Sequence, residues 1–305
     1  RIMFGQEYEN TPRRFQSNYD VSPFVTYLDK NSPVYRWAMY AQQELSPLPA
    51  LNLTLGLRYD RYKSFGNALN PRAAAVYRLG DEDTAKLLYG SAFRAPNTFE
   101  MDYKTATAAE NPELKPEKVS TYEAVYEHSL PDKGFVTVSY FHNRIYRLIS
   151  QITGADGLLQ FVNSGRIKTQ GMEISSKFAL RDGIYGHIGY TLQDTREIGH
   201  EHMTNSPVHV AAAGLSRRIP SCAATISAEG FFIGDRRTVK DTTLHATALL
   251  NLLARARPWK KGPLFYAGIY NATNAPYYVS GAGEHLQAAI RQDGRNYTVG
   301  IEHRF

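Results

Sequence analysis

Few residue groups in this chain have the types and spacing to do chemistry. His200-Glu201-His202-Met203 is the one cluster of metal-ligand type, and two imidazoles at i and i+2 could hold copper, zinc or haem iron. Two imidazoles make an incomplete site, because such ligands come in threes or fours with supporting partners. Arg236 and Arg237, between Gly234-Asp235 and Thr238, form a paired cation that would attract an anion. Tyr277 and Tyr278, with His285 further along, could stack on the flat face of an anionic chelate. For any single one of these, a solvated loop residue or an interfacial aromatic is the competing explanation. Covalent chemistry has no candidate. There is no G-x-S-x-G, no H-E-x-x-H, no phosphate-binding loop and no G-x-G-x-x-G opening a helix. The lone cysteine, Cys222, excludes a disulfide scaffold and a cysteine-based zinc site. No resident cofactor is expected.

The elements that must position these residues read as strands. Leu51, Leu53, Leu55, Leu57 and Tyr59 oppose Asn52, Thr54, Gly56, Arg58 and Asp60. The same alternation recurs with Val136, Val138 and Tyr140, with Ile184, Ile188, Tyr190 and Leu192, and with Ala224, Ile226, Ala228 and Phe232. Thr243 to Arg255 is rich in Ala and Leu and reads almost as well as a helix. We assign it as a strand, because Leu244, Ala246, Ala248, Leu250 and Leu252 share a face. The last strand carries Tyr297, Val299, Ile301, His303 and Phe305 on one face and runs to the terminal residue.

Connections alternate in length. Compact turn signals stand at Ser46-Pro47-Leu48-Pro49, Gly80-Asp81-Glu82-Asp83, Pro131-Asp132-Lys133-Gly134, Arg181-Asp182-Gly183 and Pro220-Ser221. Between them lie longer stretches around 11–32, 61–68, 95–117, 152–158, 195–206, 234–241 and 271–294. Short turns on one side and long loops on the other are the asymmetry of an up-and-down outer-membrane barrel. About fourteen strands fit, an even number, so the first begins and the last ends on the short-turn side.

Composition agrees with that class. The 305 residues carry 35 Lys plus Arg against 29 Asp plus Glu, with no basic run, so a nucleic-acid partner is not expected. Mean hydropathy is −0.41, and no apolar stretch approaches the roughly 18 residues of a membrane helix. That excludes a helical membrane protein only, since a barrel hides its apolar band in alternation. The 21 Tyr and 14 Phe beside two Trp call for a place where aromatics are needed in bulk. Tyr59, Tyr122, Tyr126, Tyr140, Tyr190, Phe232, Tyr297 and Phe305 fall on outward-alternating positions, where a lipid-facing wall would put them. No linker interrupts the chain, so residues 1–305 read as one domain.

Several fragments, taken in order, carry a family resemblance. Phe93-Arg94-Ala95-Pro96-Asn97, then Asn111-Pro112-Glu113-Leu114-Lys115-Pro116-Glu117, then Thr121-Tyr122-Glu123 resemble the FRAP…NPxLxPE…TYE signature of TonB-dependent outer-membrane receptors. Gly56-Leu57-Arg58-Tyr59-Asp60, Asn70-Pro71-Arg72, Asn163-Ser164-Gly165 with Gly171-Met172-Glu173, and Asn271-Ala272-Thr273-Asn274-Ala275-Pro276-Tyr277 are similar to later stretches of that family. The resemblance implies a 22-stranded barrel with a plugged lumen, of which this chain supplies the last fourteen or so strands. It implies that the plug, the TonB-contacting segment and roughly eight strands precede Arg1.

The implied activity is energy-coupled import of a scarce ligand, a ferric siderophore or a cobalamin-like chelate. Haem is disfavoured, because the family's haem receptors place a histidine between the two motifs, and residues 97–110 contain none. The implied partners are the TonB-ExbB-ExbD system through the N-terminal region, the barrel-assembly machinery through the strand ending at Phe305, the bilayer with its lipopolysaccharide, and the small-molecule ligand. Arg72, Arg94, Glu117 and Glu123 are expected to bridge and anchor within the lumen rather than touch ligand. A passive porin-like channel and an outer-membrane barrel hydrolase remain the alternatives.

Overall fold

The computed structural model describes residues 1–198, 203–259, 262–282 and 285–303. Fourteen strands follow one another as antiparallel neighbours in a single sheet. They are β1 (Ile2–Thr11), β2 (Val34–Leu48), β3 (Leu51–Tyr62), β4 (Gly66–Arg78), β5 (Asp83–Arg94), β6 (Glu117–Leu130) and β7 (Gly134–Thr153). Then come β8 (Leu159–Leu180), β9 (Ile184–Glu197), β10 (His209–Ile219), β11 (Ala224–Ile233), β12 (Thr247–Ala256), β13 (Leu264–Tyr270) and β14 (Asn296–Glu302). No helix is long and apolar enough to cross a membrane, a fact that leaves strand crossing untouched. The order is that of an up-and-down barrel wall. Among the described residues it stays open, with β1 and β14 as its two edges.

Register divides the sheet into two faces of different chemistry. Tyr89, Tyr122 and His142 are cross-strand partners on one face, and Tyr140, Met172 and Leu192 follow one step further in. That face leaves Leu87 64% exposed and Val299 82% exposed, which water disfavours and hydrocarbon accepts. Seven of the eight outward aromatics expected from alternation lie on it; the eighth, Phe305, is outside the described residues. The opposite face is polar and cross-linked. Arg58 grips Glu7 at 2.8 and 2.9 Å and reaches Asp60, which is 1% exposed. Arg36 reaches Glu9 at 3.2 Å, and Lys86 reaches Glu127 at 3.2 Å. An apolar wall backed by a polar lumen is the barrel arrangement.

The two ends of the sheet differ as expected. Near-side connections are tight, at 49–50, 79–82, 131–133, 181–183 and 220–223. Asp132, Asp182 and Ala223 take positive φ there, the left-handed conformation such turns demand. A sixth near-side connection lies between Ala256, where β12 ends, and Leu264, where β13 begins, and Pro258, Gly262 and Pro263 are its sequence signals. The far-side stretches carry short elements of their own. Phe15–Val21 pairs with Phe24–Asn31, Arg236–Arg237 with Thr243–Leu244, and Tyr278–Ser280 with Ala289–Arg291.

Two expectations need correction. The segment Thr243–Arg255 is two elements: Thr243 and Leu244 belong to the loop hairpin, and the barrel strand starts at Thr247. Asp235 accepts the Ala246 backbone N–H at 2.5 Å and turns the chain there. The stretch 61–68 is a three-residue turn, because β3 and β4 stay paired up to Tyr62 and Gly66.

Candidate functional site

The polar face ends, on the far side, in two clusters of loop structure. The first is built on the sequence motif around Arg94. Asn97 caps the one-turn helix α1 (Thr98–Asp102): its side chain accepts the Glu100 N–H at 2.8 Å, and Glu100 accepts the Asn97 N–H at 2.9 Å. Glu100 also holds Arg94 at 2.9 and 3.0 Å, while Glu117 holds the other edge of the same guanidinium at 2.6 and 2.9 Å. Glu117 then accepts the Ile149 N–H at 2.7 Å. Phe93 packs edge-on to Tyr62 at 5.8 Å, and Leu114 is 2% exposed.

Asn111 donates to the Phe161 carbonyl at 2.8 Å, and its own side chain accepts from the Glu113 N–H at 3.2 Å. Asn163 locks the other end, accepting the Lys115 N–H at 2.7 Å and donating to the Lys115 and Arg147 carbonyls. Ala95, Pro96, Pro112 and Pro116 shape the chain between these anchors. The motif therefore ties β5, β6, β7 and β8 together at their far ends. Arg72 bonds Gln42 across the lumen face, in keeping with that reading.

The Phe15–Asn31 hairpin lies against this knot. Lys30 pairs with Asp102, and Arg14 reaches the Thr98 hydroxyl at 3.4 Å. Tyr27 donates to Asp20 at 2.5 Å, and that carboxylate holds its phenol above the ordinary tyrosine range. Tyr27, Tyr103, Phe99 and Phe161 make a chain of ring contacts over α1. No sequence signal singled out this aromatic chain, because its members come from three separate stretches.

The second cluster brings two of the expected site residues together. Arg236 donates to the Tyr278 carbonyl at 2.7 Å and so pins the 234–246 loop to the 271–295 loop. Its Nη1 is buried and has no acceptor among the described residues. Arg237 pairs with Asp241 one turn on. Thr238, fully buried, shares a 2.8 Å hydroxyl bond with Thr242 and closes that loop. Tyr277 is half-buried and Tyr278 is 41% exposed. His285 accepts the Ala282 N–H at 3.2 Å, which occupies its Nδ1 within its own turn. Lys240 reaches over to the Leu286 carbonyl at 2.9 Å. His200 and His202 lie outside the described residues, and so does Phe305. Among the described residues no cluster of three or more His, Cys, Asp or Glu could hold a metal.

This geometry is a barrel wall carrying pinned outer loops, and comparison with known proteins decides the family. The family model for the TonB dependent receptor-like β-barrel matches residues 1–272. The chain belongs to the TonB-dependent receptor family. Its fold and location follow: a transmembrane β-barrel of the bacterial outer membrane, in a family of transport receptors rather than enzymes.

A curated relative, the iron-regulated outer membrane virulence protein of Vibrio cholerae, is 28% identical over 123 residues, covering 38% of this chain and 19% of its own length. Among solved structures, the ferric-catecholate import receptor Fiu of E. coli K12 aligns with a TM-score of 0.73 at 16% identity, over 98% of this chain and 50% of that one. The FrpB iron transporter of Neisseria meningitidis aligns at 0.72 with 17% identity, over 90% of this chain and 46% of that one. At such identities the likeness shows the fold. The chain spans about half the length of these receptors and a fifth of the curated relative's.

Proposed function

We propose that this TonB-dependent receptor barrel serves the import of an anionic metal chelate, a ferric siderophore before a cobalamin-like ligand, with Arg236 as an outer contact. The observation that carries the reading is the Arg236 guanidinium, held by one loop against another with a buried Nη1 that lacks an acceptor. A buried donor left unbonded costs roughly 1–3 kcal/mol, more when charged, and an arriving oxyanion would remove that cost. Tyr277 and Tyr278 on the neighbouring loop supply faces for a catecholate or similar ring. Support for iron comes from the relatives, named as a ferric-catecholate import receptor, an iron transporter and an iron-regulated protein. Energy would reach the barrel through the TonB-ExbB-ExbD system acting on the N-terminal region of the whole receptor.

The test replaces Arg236 and Arg237 with Ala in the full-length receptor and measures binding of ferric enterobactin-type chelates and of cobalamin. Affinity for the anionic chelate should fall about tenfold or more, with the larger loss at low salt. Equal affinity at every salt concentration would retire both arginines as site residues. A plugless upstream sequence would favour a passive channel instead, and activity dependent on one Ser or His would favour a hydrolase.

A further inference from the structure

Between β4 and β5 the wall of the barrel parts at its far end. The two strands pair from Arg78–Thr84 to Arg72–Gly90 and no further. Yet β4 stays paired with β3 out to Gly66, and β5 stays paired with β6 out to Arg94. Residues 66–71 of one strand and 91–94 of the other therefore border a gap in the ladder. Pro71 stands at the first open step, and it has no N–H to donate. Continued register would set Ser91 against Pro71, and the Ser91 Oγ is buried without a partner. The Oδ1 of Asn70, one residue further along β4, is buried in the same unbonded state.

The gap is a window through the wall, because its lining comes from both faces. Its cleft of about 710 Å³ is bounded by Ala68, Asn70 and Glu117 of the lumen face and by Leu69, Phe93 and Tyr146 of the outward face. That volume lies within the roughly 300–1,000 Å³ of small-molecule sites. Aromatic rings edge it: Tyr62 stacks on Phe65 at 4.3 Å, and Phe93 lies 5.8 Å from one and 6.1 Å from the other. Lys118, Arg147 and Arg166 stand at its lip with no carboxylate partner among the described residues. Glu117 does not answer them, since both its oxygens are held by Arg94. Nearer the sheet centre the outward face reads Leu57, Leu55, Ala73, Tyr89 and Leu87, without a charge. The window thus opens at the outer edge of the hydrocarbon, with an apolar passage and a cationic lip.

We propose that this window seats the alkyl tail of an N-acylated, anionic iron chelate, whose head occupies the lumen while its tail passes between β4 and β5. The proposal rests on the import reading above and adds the chemical class of the substrate to it. In a closed wall, such a tail would stay in a water-filled lumen, where each methylene opposes binding; in the window it meets rings and lipid carbon. The amide that joins head to tail would supply an N–H for the Asn70 Oδ1 and a carbonyl for the Ser91 hydroxyl. The carbon stems of Lys118 and Arg166 can lie along the tail while their charged ends stay at the water boundary. Those charges favour an anionic amphiphile over a cationic one.

The experiment uses the full-length receptor in nanodiscs of phosphatidylethanolamine and phosphatidylglycerol. The probes are the N-dodecanoyl and N-acetyl forms of one ferric tris-catecholate, and partition into empty nanodiscs is subtracted. The wild type should bind the dodecanoyl form about tenfold or more tightly than the acetyl form. Leu69→Trp, which fills the outward mouth with a residue suited to that boundary, should abolish most of the preference, and Leu69→Ala should keep it. A dodecanoyl chelate ending in a diazirine should label β4 and β5 around Leu69 and Phe93, as peptide mass spectrometry maps it. That readout uses the wild type alone, so it stands even where a variant fails to fold. Equal affinity of the two forms, a preference untouched by Leu69→Trp, or labelling confined to other strands would overturn the window. Equal labelling of the same peptides by a diazirine fatty acid would give the passage to lipid carbon and overturn the chelate assignment. Binding of the acetyl form with no gain from the tail removes the window alone, whereas binding of neither form removes the import reading as well.

Discussion

Arg94 makes two forked contacts, one to Glu100 and one to Glu117, and each carboxylate then holds a backbone N–H elsewhere. One guanidinium thus ties three strands, β5, β6 and β7, to the capped end of α1, which a lysine could not do because it lacks the planar fork. Residue by residue, the motif could be read from sequence, but its partners could not. Asn163 sits 48 positions from Lys115, and nothing in the local pattern pairs them. The expectation for this scale is that Glu117→Gln lowers unfolding stability by about 1–2 kcal/mol, since it weakens a charge-assisted fork while keeping the Ile149 bond. A urea midpoint followed by heat-modifiable gel mobility measures it. Chelate affinity should stay unchanged, and a selective loss of affinity would move Glu117 from anchor to ligand contact.

Strands here are aligned by cross-strand pairs in which a ring covers a glycine. Gly171 lies directly opposite Phe141 in the register, and an added Cβ would meet the Phe141 ring at 2.6 Å and the Leu192 carbonyl oxygen at 2.4 Å. Tyr40 covers Gly5 and Tyr266 covers Gly300 in the same way. Part of the aromatic surplus is therefore turned inward over glycines and not toward lipid, which alternation alone did not separate. Gly171→Ala should cost about 1–3 kcal/mol, because a backbone oxygen cannot rotate aside. Gly90→Ala meets nothing within 4 Å and should be nearly neutral by the same urea measurement. Equal effects at both positions would show that strand propensity, not the covered approach, sets the response.

At the scale of the whole molecule the sheet is an open wall. β1 and β14 offer unpaired backbone along their outer edges among the described residues, and lipid does not tolerate such edges. Closure needs partner strands, consistent with a chain that covers half the length of the receptors it resembles. The last strand presents Tyr297, Val299 and Ile301 outward at 67–82% exposure, the kind of edge an assembly machine could recognise. We expect deletion of Phe305 in the full-length receptor to lower its outer-membrane level. Immunoblotting of fractionated membranes checks this, and unchanged levels would sink the role of the terminal aromatic.

Period-two alternation determined the strands, and the alternation of short and long connections determined their up-and-down order, because both are local properties of the chain. The family signature was legible because its residues stand in a fixed order along the chain, although only the Asn97 cap and the Arg94–Glu100 pair are local; Glu117 lies 23 positions from Arg94 and 32 from Ile149. The break at residues 245–246 escaped, since an Ala- and Leu-rich stretch carries little directional signal. Only tertiary structure decided which cations are answered. Arg144, Lys168 and Arg196 are 24 to 52 positions apart, and only the pairing of β7, β8 and β9 sets them in one row. Arg236 looked like half of a cationic pair, yet its partner is a carbonyl 42 residues away. Sequence reports which residues share a face, but the register between strands, set by long-range hydrogen bonding, decides which of them are neighbours.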